Sequence, residues 1–457
     1  MTRAARTIDL AALIDGRKLT PFNWMLMILS WLITMFDGLD MMMVSFTAPY
    51  MRDELNLTTT QLGHVFSAGT AGMVVGGLAF TYVGDRIGRR PTIIFAGLAF
   101  GILTFLTGFA RSYELLVTLR FLDGLAIGGL LPLAWALNIE FVPKHIRATV
   151  IAFIMMGFSI GSSVAGPLTN WLAPVYGWEG VYFVGGGATI LCAIMLVIWL
   201  PESPRFLISK GVKPELVVAT LKRYDPSLDI QQGDMLVLGD EGQHKGNFKF
   251  GDLFAGPLKF ITPLVWLGYG ASALGIFFKS SWGPIVLEEM NVARETAATV
   301  SSIGGLLGAF AGVAIMRMAE RYGLLVVAFV PALILPIALL IGFDMVTGPL
   351  FLPLIVIQAM LVGGGHTAII SQLALYYPTA IRASAGGWAS AVGKIGGVVG
   401  PIVGAAVLAS GMPASRTYAI AAICPFILML CVLWIYFLIG RPERIAKVAA
   451  AKVAVAH

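Results

Sequence analysis

Twelve long apolar runs, separated by polar loops, constrain this chain more than any other feature of its sequence. Most of the runs have about 20–25 residues, which is enough for an α-helix to cross a hydrocarbon core of about 30 Å. The sequence therefore predicts an all-α membrane protein with twelve transmembrane helices. The runs lie at about 24–46, 61–83, 91–110, 113–137, 148–172, 180–200, 260–287, 297–316, 323–343, 350–375, 384–409 and 417–439.

The composition excludes soluble and disordered proteins. Of the 457 residues, 58% are hydrophobic and 12% are charged, whereas soluble domains have about 45–50% and about 25%. Disorder requires low hydrophobicity and high charge. The three cysteines lie inside apolar runs, and neither they nor the histidines have the spacing of a disulfide framework or a metal site. The sequence contains no Walker phosphate loop and no catalytic constellation. We therefore expect that the protein is not an enzyme and that it has no cofactor and no metal site.

The basic residues predict the orientation in the membrane. Twelve crossings put both termini on the same side, and cytoplasmic loops carry an excess of Lys and Arg. These residues are concentrated in the N-terminal segment, in every second loop and in the C-terminal tail, whereas the opposite loops contain only Arg52, Arg111, Arg294 and Arg416. Both termini are therefore expected in the cytoplasm, and the net charge of +6 is attributed to topology, not to nucleic-acid binding. The N-terminal segment lacks the pattern of a cleaved signal peptide, so the first run is expected to direct insertion.

An internal repeat divides the chain into two halves. Pro143 and Arg147 recur 235 residues later as Pro378 and Arg382, and two further short motifs recur at the same offset. Six crossings in each half give both halves the same orientation, which is the parallel-repeat plan of alternating-access carriers. We predict an N-terminal six-helix bundle at 1–200, a solvated cytoplasmic linker at 201–259, a C-terminal six-helix bundle at 260–440 and a cytoplasmic tail at 441–457.

The loop GDRIGRRP at residues 84–91 resembles the signature loop of the major facilitator superfamily. The PESPR motif at 201–205 and the glycines of the fourth apolar run are also similar to family motifs. The resemblance covers essentially the whole chain and implies the major facilitator fold, with two six-helix parallel repeats. Thr81 departs from the family pattern, which usually has Gly there.

The first apolar run contains the sequence Asp-Gly-Leu-Asp at 37–40, which resembles the DGxD motif of the aromatic acid:proton symporters. Glu140, Arg382, Trp388 and Lys394 also fit that subfamily, although Lys394 stands where the subfamily usually has Arg. The resemblance implies proton-coupled transport of a benzoate-like anion across a bacterial inner membrane.

Charged residues inside the first-half runs are candidates for chemistry, because each costs a few kcal/mol in hydrocarbon unless it faces a partner or a water-filled cavity. Asp37 and Asp40 are three residues apart and share one helix face. Since two neighbouring carboxylates cannot both ionise cheaply there, we expect one to hold a proton and predict a proton-coupling pair. The alternative is a permanent ion pair or a helix cap. Arg120 either binds the substrate carboxylate or forms a structural salt bridge, with Asp123 as its neighbour at three residues.

The second half supplies cations without buried acids. Lys279 and Lys394 are candidate substrate contacts, because cations on one half and acids on the other would attract an organic anion between them. The alternative for Lys279 is a side chain that extends to the membrane interface. His366 and Trp388 are further candidate substrate contacts; a lone His is otherwise a neutral core residue, and most membrane aromatics face lipid or neighbouring helices.

Charged residues near the cytoplasmic loops are predicted to form an ion-pair latch that closes and opens during transport. The alternative is that they only anchor the topology. The predicted gating residues are Asp85, Arg86, Arg89, Arg90, Glu140, Arg147, Glu320, Arg321 and Arg382.

The leading hypothesis is proton-coupled uptake of an aromatic carboxylate by alternating access. The expected partners of this monomer are the organic anion, protons and membrane lipid. Two alternatives stay open. One is a proton symporter for a sugar acid or dicarboxylate, since two cations could serve two carboxylates. The other is a receptor that senses the acid without moving it, although the stretch 201–259 is too short for a recognisable signalling domain.

Overall fold

Long helices make up nearly all of this computed structural model. It describes residues 6–439 except 213, 229, 231–233, 239–248, 324 and 374–375, and it leaves undescribed the side chains of 214, 320, 367–373, 379–380, 383 and 438–439. The predicted tail at 441–457 lies outside the described residues.

The helices follow the order of the apolar runs. The first half contains α1 (Leu10–Asp15), α2 (Pro21–Leu55), α3 (Thr59–Ile87), α4 (Arg89–Thr107), α5 (Tyr113–Gly128), α6 (Leu130–Glu140) and α7 (Arg147–Trp199). The polar stretch contains α8 (Pro204–Ser209) and α9 (Pro214–Tyr224). The second half contains α10 (Leu258–Glu289), α11 (Arg294–Tyr322), α12 (Leu325–Gly342), α13 (Phe351–Leu373), α14 (Thr379–Ala409), α15 (Arg416–Ala421) and α16 (Ile423–Trp434).

The described helices confirm the twelve predicted crossings. Eleven stretches are long and apolar enough to cross a membrane, and α5 and α6 together form one of them. Another, Lys144–Trp199, has 56 residues, which corresponds to about 80 Å of helix and exceeds one hydrocarbon core. Gly177 divides this stretch, because its φ of 72° and ψ of 174° interrupt the helical geometry. The two segments on either side of Gly177 each cross once.

The backbone repeats at the offset found in the sequence. Asn56 and Asn291, 235 residues apart, both adopt left-handed conformations with φ of 50° and 64°. Gly88 and Gly323 end α3 and α11 with positive φ. The two arginines of the repeated motif also make the same contact: Arg147 donates to the carbonyl of Val142, and Arg382 donates to the carbonyl of Tyr377. The structure therefore confirms the two parallel repeats.

The two halves meet toward one end of the bundle. Helices α2–α7 pack on one another, as do α10–α16, and the halves touch through α3 with α14, α7 with α11 and α2 with α10. The Ser45 hydroxyl donates to the carbonyl of Ser280 at 2.6 Å, and Arg294 donates to Asp53 at 2.9 Å. We call this end, where α2 finishes and α11 begins, the closed end. The opposite end, where α2 begins, is called the open end.

The polar stretch between the halves is partly buried, so the prediction of a solvated linker is wrong for α9. Val217, Leu221 and Tyr224 of α9 pack with Leu10 in the hydrophobic core of the first half. These apolar residues recur every three or four positions and so form one face of the helix. Two strands, β1 (Thr7–Asp9) and β2 (Met235–Val237), pair in parallel and join the N-terminal segment to the same stretch.

A carboxylate caps the helix that follows the signature loop. Glu202 Oε1 accepts hydrogen bonds from the backbone N–H groups of Arg89 and Arg90, at 3.0 and 3.1 Å, and from that of Ser203. A negative charge is favoured at a helix N-terminus, where backbone donors lack partners. Gly88 precedes this cap, and a Cβ at that position would lie 2.4 Å from Glu202 Oε2. The motifs at 84–91 and 201–205 are therefore two sides of one contact.

We predict that Gly88→Ala lowers the Tm of the purified protein more than Gly323→Ala does. Both substitutions strain a positive φ, at a cost of about 1–2 kcal/mol. Only the first displaces the capping carboxylate, because a Cβ at Gly323 meets nothing within 4 Å; leaving the donors unpaired costs about 1–3 kcal/mol more. Thermal unfolding in detergent measures the difference, and equal Tm values would contradict the role of Glu202.

Candidate functional site

A cavity lies between the halves, and the four charged residues predicted inside the first-half runs, Asp37, Asp40, Arg120 and Asp123, all line it. It has about 500 Å³ of empty space, part of which is open to the surroundings. We call it the central cavity. Helices α2, α3, α5 and α10 form its walls, which include Asp37, Asp40, Val65, Phe66, Thr70, Met73, Arg120, Asp123, Phe277, Ser280 and Ser281.

Arg120 is held between two carboxylates at the wall of this cavity. Its Nη1 and Nη2 donate to the two oxygens of Asp40 at 3.0 and 3.1 Å, and Nη2 also donates to Asp123 at 2.5 Å. The Thr104 hydroxyl donates to Asp123 at 3.1 Å, and the guanidinium lies 5.4 Å from the ring of Tyr182. The fork of the guanidinium matches the Asp40 carboxylate, which makes this a strong, oriented pair.

Gly38 places the two acids of α2 in this position. A Cβ on Gly38 would lie 2.1 Å from the carbonyl oxygen of Phe158 in α7. Only glycine therefore permits the backbones of α2 and α7 to approach so closely, and this packing fixes the rotation of α2. Asp37 and Asp40 then both border the central cavity, as their spacing predicts.

Asp37 differs from Asp40 because it has no partner. It is 1% exposed, and neither of its carboxyl oxygens has a hydrogen-bond partner among the described residues. An isolated buried carboxylate is very costly, so the protonated carboxyl is favoured at this position. Asp37 is therefore the acid of the cavity with the fewest constraints on gaining or losing a proton.

Lys394 is not among the residues that line the central cavity, but its ammonium contacts α3 close to it. Its Nζ is 3.0 Å from the position that a Cβ on Gly77 would occupy. Gly77 is one helical turn beyond Met73, which lines the cavity on α3. The ammonium of α14 thus faces the first half, on the side of the cavity toward the open end.

The other predicted substrate contacts lie elsewhere. Lys279 and His366 line a second cavity of about 740 Å³ inside the second half, which we call the second-half cavity. Trp388 packs against Phe250 and Trp266, with ring centroids 4.9 and 6.2 Å apart. Neither second-half lysine lines the cavity of the acids in this structure: Lys279 lies on the side of α10 that faces α12 and α13, and Lys394 contacts α3 at Gly77.

The predicted gating residues make contacts within their own halves. Arg89 pairs with Glu140, which also accepts a hydrogen bond from Ser203, and Arg90 donates to the carbonyl of Leu200 at 2.7 Å. In the part of the chain that the structure describes, no salt bridge joins these residues across the halves. Arg86 and Arg321 form cation–π pairs with Tyr82 and Tyr322, and the side chain of Glu320 lies outside the described residues.

Sequence reasoning missed two polar neighbours of the charged cluster, Thr104 and Tyr182. A threonine in a transmembrane helix usually bonds to its own backbone, and a tyrosine is common in such runs. Neither residue differs from the many other polar residues of the apolar runs, so the sequence alone does not identify them as neighbours of the cluster.

Comparison with known proteins gives consistent matches over the whole chain. The family model of the Major Facilitator Superfamily matches residues 30–341 and 265–455. A 4-hydroxybenzoate transporter of Acinetobacter baylyi is 30% identical over 408 residues, 88% of each chain. A gallate transporter of Pseudomonas putida is 29% identical, covering 93% of this chain and 94% of the relative. The inward-open structure of the xylose transporter of E. coli superposes with a TM-score of 0.71 at 17% identity, covering 93% and 99% of the two chains.

We predict that Arg120→Leu strongly destabilises the protein. Removing the guanidinium leaves Asp40 and Asp123 as buried carboxylates without a cation, which costs about 3–5 kcal/mol. Arg86→Leu is the matched control, because Arg86 is exposed and such substitutions stay within about 0.5 kcal/mol. Thermal unfolding of both purified variants checks this, and equal Tm values would show that the cluster does not support the fold.

Proposed function

The chain belongs to the major facilitator superfamily, and from this premise we propose that it imports an aromatic carboxylate together with protons by alternating access. The relatives named above transport 4-hydroxybenzoate and gallate, which supports an aromatic acid as the substrate. The observation that carries the proposal is the buried, unpartnered Asp37 beside the Asp40–Arg120–Asp123 cluster in the central cavity.

The charges of the cavity support coupling to protons. Asp37, Asp40 and Asp123 are three acids against the single guanidinium of Arg120. If all were ionised, the wall would carry an excess of negative charge that repels an anion, and the repulsion is strong at low dielectric. Protonation of Asp37, and then of Asp40, removes this excess. An organic anion therefore binds most favourably after the cavity has taken up a proton.

Arg120 has a second role in this proposal. In the described arrangement its Nη groups are taken up by Asp40 and Asp123, while its Nε has no partner. Protonation of Asp40 weakens the bidentate pair and leaves guanidinium donors for a substrate carboxylate. In this proposal Arg120 binds the Asp40 carboxylate when Asp40 is ionised and the substrate carboxylate when Asp40 is protonated.

The remaining walls suit an aromatic ring. Phe66, Phe277 and Met73 provide apolar and polarisable surface near the acids, as expected for a flat ring with one charged end. Lys394, close to the cavity, provides a cation from the second half. We propose that it attracts the anion and contacts its carboxylate.

The orientation and the rest of the cycle are part of the same proposal. With both termini in the cytoplasm, the closed end faces the outside of a bacterial inner membrane and the cavity opens inward. The bundles at 1–200 and 260–440 rock as a monomer around the central cavity, with 201–259 and 441–457 in the cytoplasm. When the cavity faces outward, the gating residues of the two halves come together at the cytoplasmic end.

We predict that Asp37→Asn and Asp40→Asn each abolish uptake driven by a proton gradient. Proteoliposomes with an acidic exterior are given radiolabelled 4-hydroxybenzoate, and liposomes without protein correct for diffusion of the neutral acid. Wild type accumulates the label, whereas both variants lose the acceleration by the gradient because the site can no longer titrate. Exchange of labelled for unlabelled substrate without a gradient tests whether the variants still move substrate.

The matched control for this assay is Asp225→Asn. Asp225 lies in the polar stretch, where hydrogen bonds from Ser227, with the nearby Arg17, hold the pKa of its carboxyl below the ordinary value. This variant should respond to the gradient as wild type does. Uptake by wild type that ignores the gradient, or normal gradient-driven uptake by both Asp37→Asn and Asp40→Asn, would reject proton coupling. Muconate and gluconate as competitors test the organic-acid alternative.

We predict that Lys394→Met raises the KM for 4-hydroxybenzoate about tenfold, which corresponds to the loss of about 1.4 kcal/mol of binding free energy. Lys394→Arg keeps the charge and should restore most of the affinity, because the subsite then still pairs with a carboxylate. Initial uptake rates measure both variants. An unchanged KM in Lys394→Met would remove Lys394 from the substrate site.

A further inference from the structure

The second-half cavity is separate from the central cavity. It lies inside the second bundle, between α10, α12, α13 and the α15–α16 pair, and has about 740 Å³ of empty space, part of which is open to the surroundings. Its walls are mainly apolar and include Phe278, Trp282, Ile334 and Tyr418. No described residue of the first half lines it. The apolar and aromatic walls suit a small ring-containing molecule.

Two buried polar atoms of residues that line this cavity have no hydrogen-bond partner among the described residues. The Nζ of Lys279 and the Oε1 of Gln358 form no hydrogen bond with any described residue, and Gln358 is 4% exposed. An unpaired buried polar atom is costly, and such groups in native proteins need an explanation. His366 also lines the cavity, where its Nδ1 is 2.8 Å from the Ser272 hydroxyl. The polar groups therefore offer one cation and one hydrogen-bond acceptor to a ligand.

The internal repeat shows what occupies the same place in the first half. A shift of 235 residues relates Asp37 to Ser272, Asp123 to Gln358 and Tyr182 to Thr417. The first-half residues belong to the charged cluster around Arg120 or border it, whereas the three second-half residues line the second-half cavity. Arg120 itself corresponds to Ile355. The first bundle thus has an ion cluster at the positions where the second bundle has uncharged residues that line a mainly apolar cavity.

We propose that the second-half cavity binds a small hydroxylated aromatic carboxylate, as a second site apart from the central cavity. The carboxylate pairs with Lys279, the ring lies between the aromatic walls, and the phenolic hydroxyl donates to Gln358 Oε1. Each group satisfies a side chain that otherwise has no partner. The site concerns equilibrium binding and does not depend on the proposed transport route.

The position of Lys279 links this site to the contact between the halves. The neighbouring Ser280 and Ser281 line the central cavity, and their carbonyls accept the hydrogen bonds from Ser45. Lys279 is on the same helix and faces the other cavity. A ligand on Lys279 therefore binds to the helix whose adjacent residues hold α2 at the closed end.

Equilibrium dialysis with radiolabelled 4-hydroxybenzoate on the purified full chain tests the proposal. We expect two bound molecules per chain in wild type and one in Lys279→Met. Methionine replaces an unpaired buried ammonium with an apolar side chain of similar length, so the variant should fold and keep or raise the Tm. Lys259→Met is the matched control, because Lys259 is an exposed lysine on the same helix; this variant should still bind two molecules.

A second variant tests the hydroxyl contact independently. Gln358→Leu should weaken 4-hydroxybenzoate at one of the two sites about tenfold and leave benzoate, which has no hydroxyl, unchanged. The proposal is overturned if Lys279→Met binds as many molecules per chain as wild type, or if Gln358→Leu has equal effects on both ligands. One bound molecule in wild type that is lost in Lys279→Met would support this site and reject binding in the central cavity. Two bound molecules without any uptake in proteoliposomes would reject the proposed function and leave this site standing.

Discussion

The buried guanidinium of Arg120 between Asp40 and Asp123 is the interaction on which the rest of the arrangement depends. In hydrocarbon an ion must be paired or face water, and here the pairing joins α2 to α5, with Thr104 of α4 as a further contact. The cluster has one cation for two acids, and Asp37 adds a third acid nearby. The net charge of this buried group therefore depends on how many protons its three acids hold. The atoms that form the structural ion pair are also the atoms to which we assign proton coupling in the proposed function.

The two repeats share the same backbone contacts but differ in the residues of their interiors. Asn56 and Asn291 turn the chain in the same way, and Arg147 and Arg382 bind equivalent carbonyls. The charges inside the first bundle do not repeat: Arg120 corresponds to Ile355, and Asp37 and Asp123 correspond to Ser272 and Gln358. Since backbone geometry and interior chemistry vary independently, the first half can hold buried acids while the second half provides cations. An anion between the halves would therefore interact differently with the acids of one half and the cations of the other.

The fold followed from the sequence more completely than the site. Length and apolarity are enough to predict helices that cross a membrane, and the spacing of Asp37 and Asp40 is enough to place them on one face. The direction that a single side chain takes is set by packing between helices, which the sequence does not display. Lys279 and Ser280 are neighbours in the chain but line different cavities, and Trp388 packs on Phe250 of the polar stretch. The apolar face of α9 did indicate burial in the sequence. The many charged residues of the surrounding stretch nevertheless led to the prediction of a solvated linker.

The contacts between the halves differ in strength from those within each half, and this difference permits movement. At the closed end, Arg52 with Glu289 and Arg294 with Asp53 are partly exposed pairs, and such pairs contribute about 0–1 kcal/mol each. Within the first half, the Arg120 cluster is almost fully buried, and breaking it costs several kcal/mol. The closed end also contains a buried hydrophobic cluster shared by the two halves, in which the ring centroids of Phe66 and Trp282 lie 5.2 Å apart. In the proposed transport cycle, these apolar contacts and the exposed ion pairs are the ones that separate when the closed end opens, while the buried cluster of the first half stays intact.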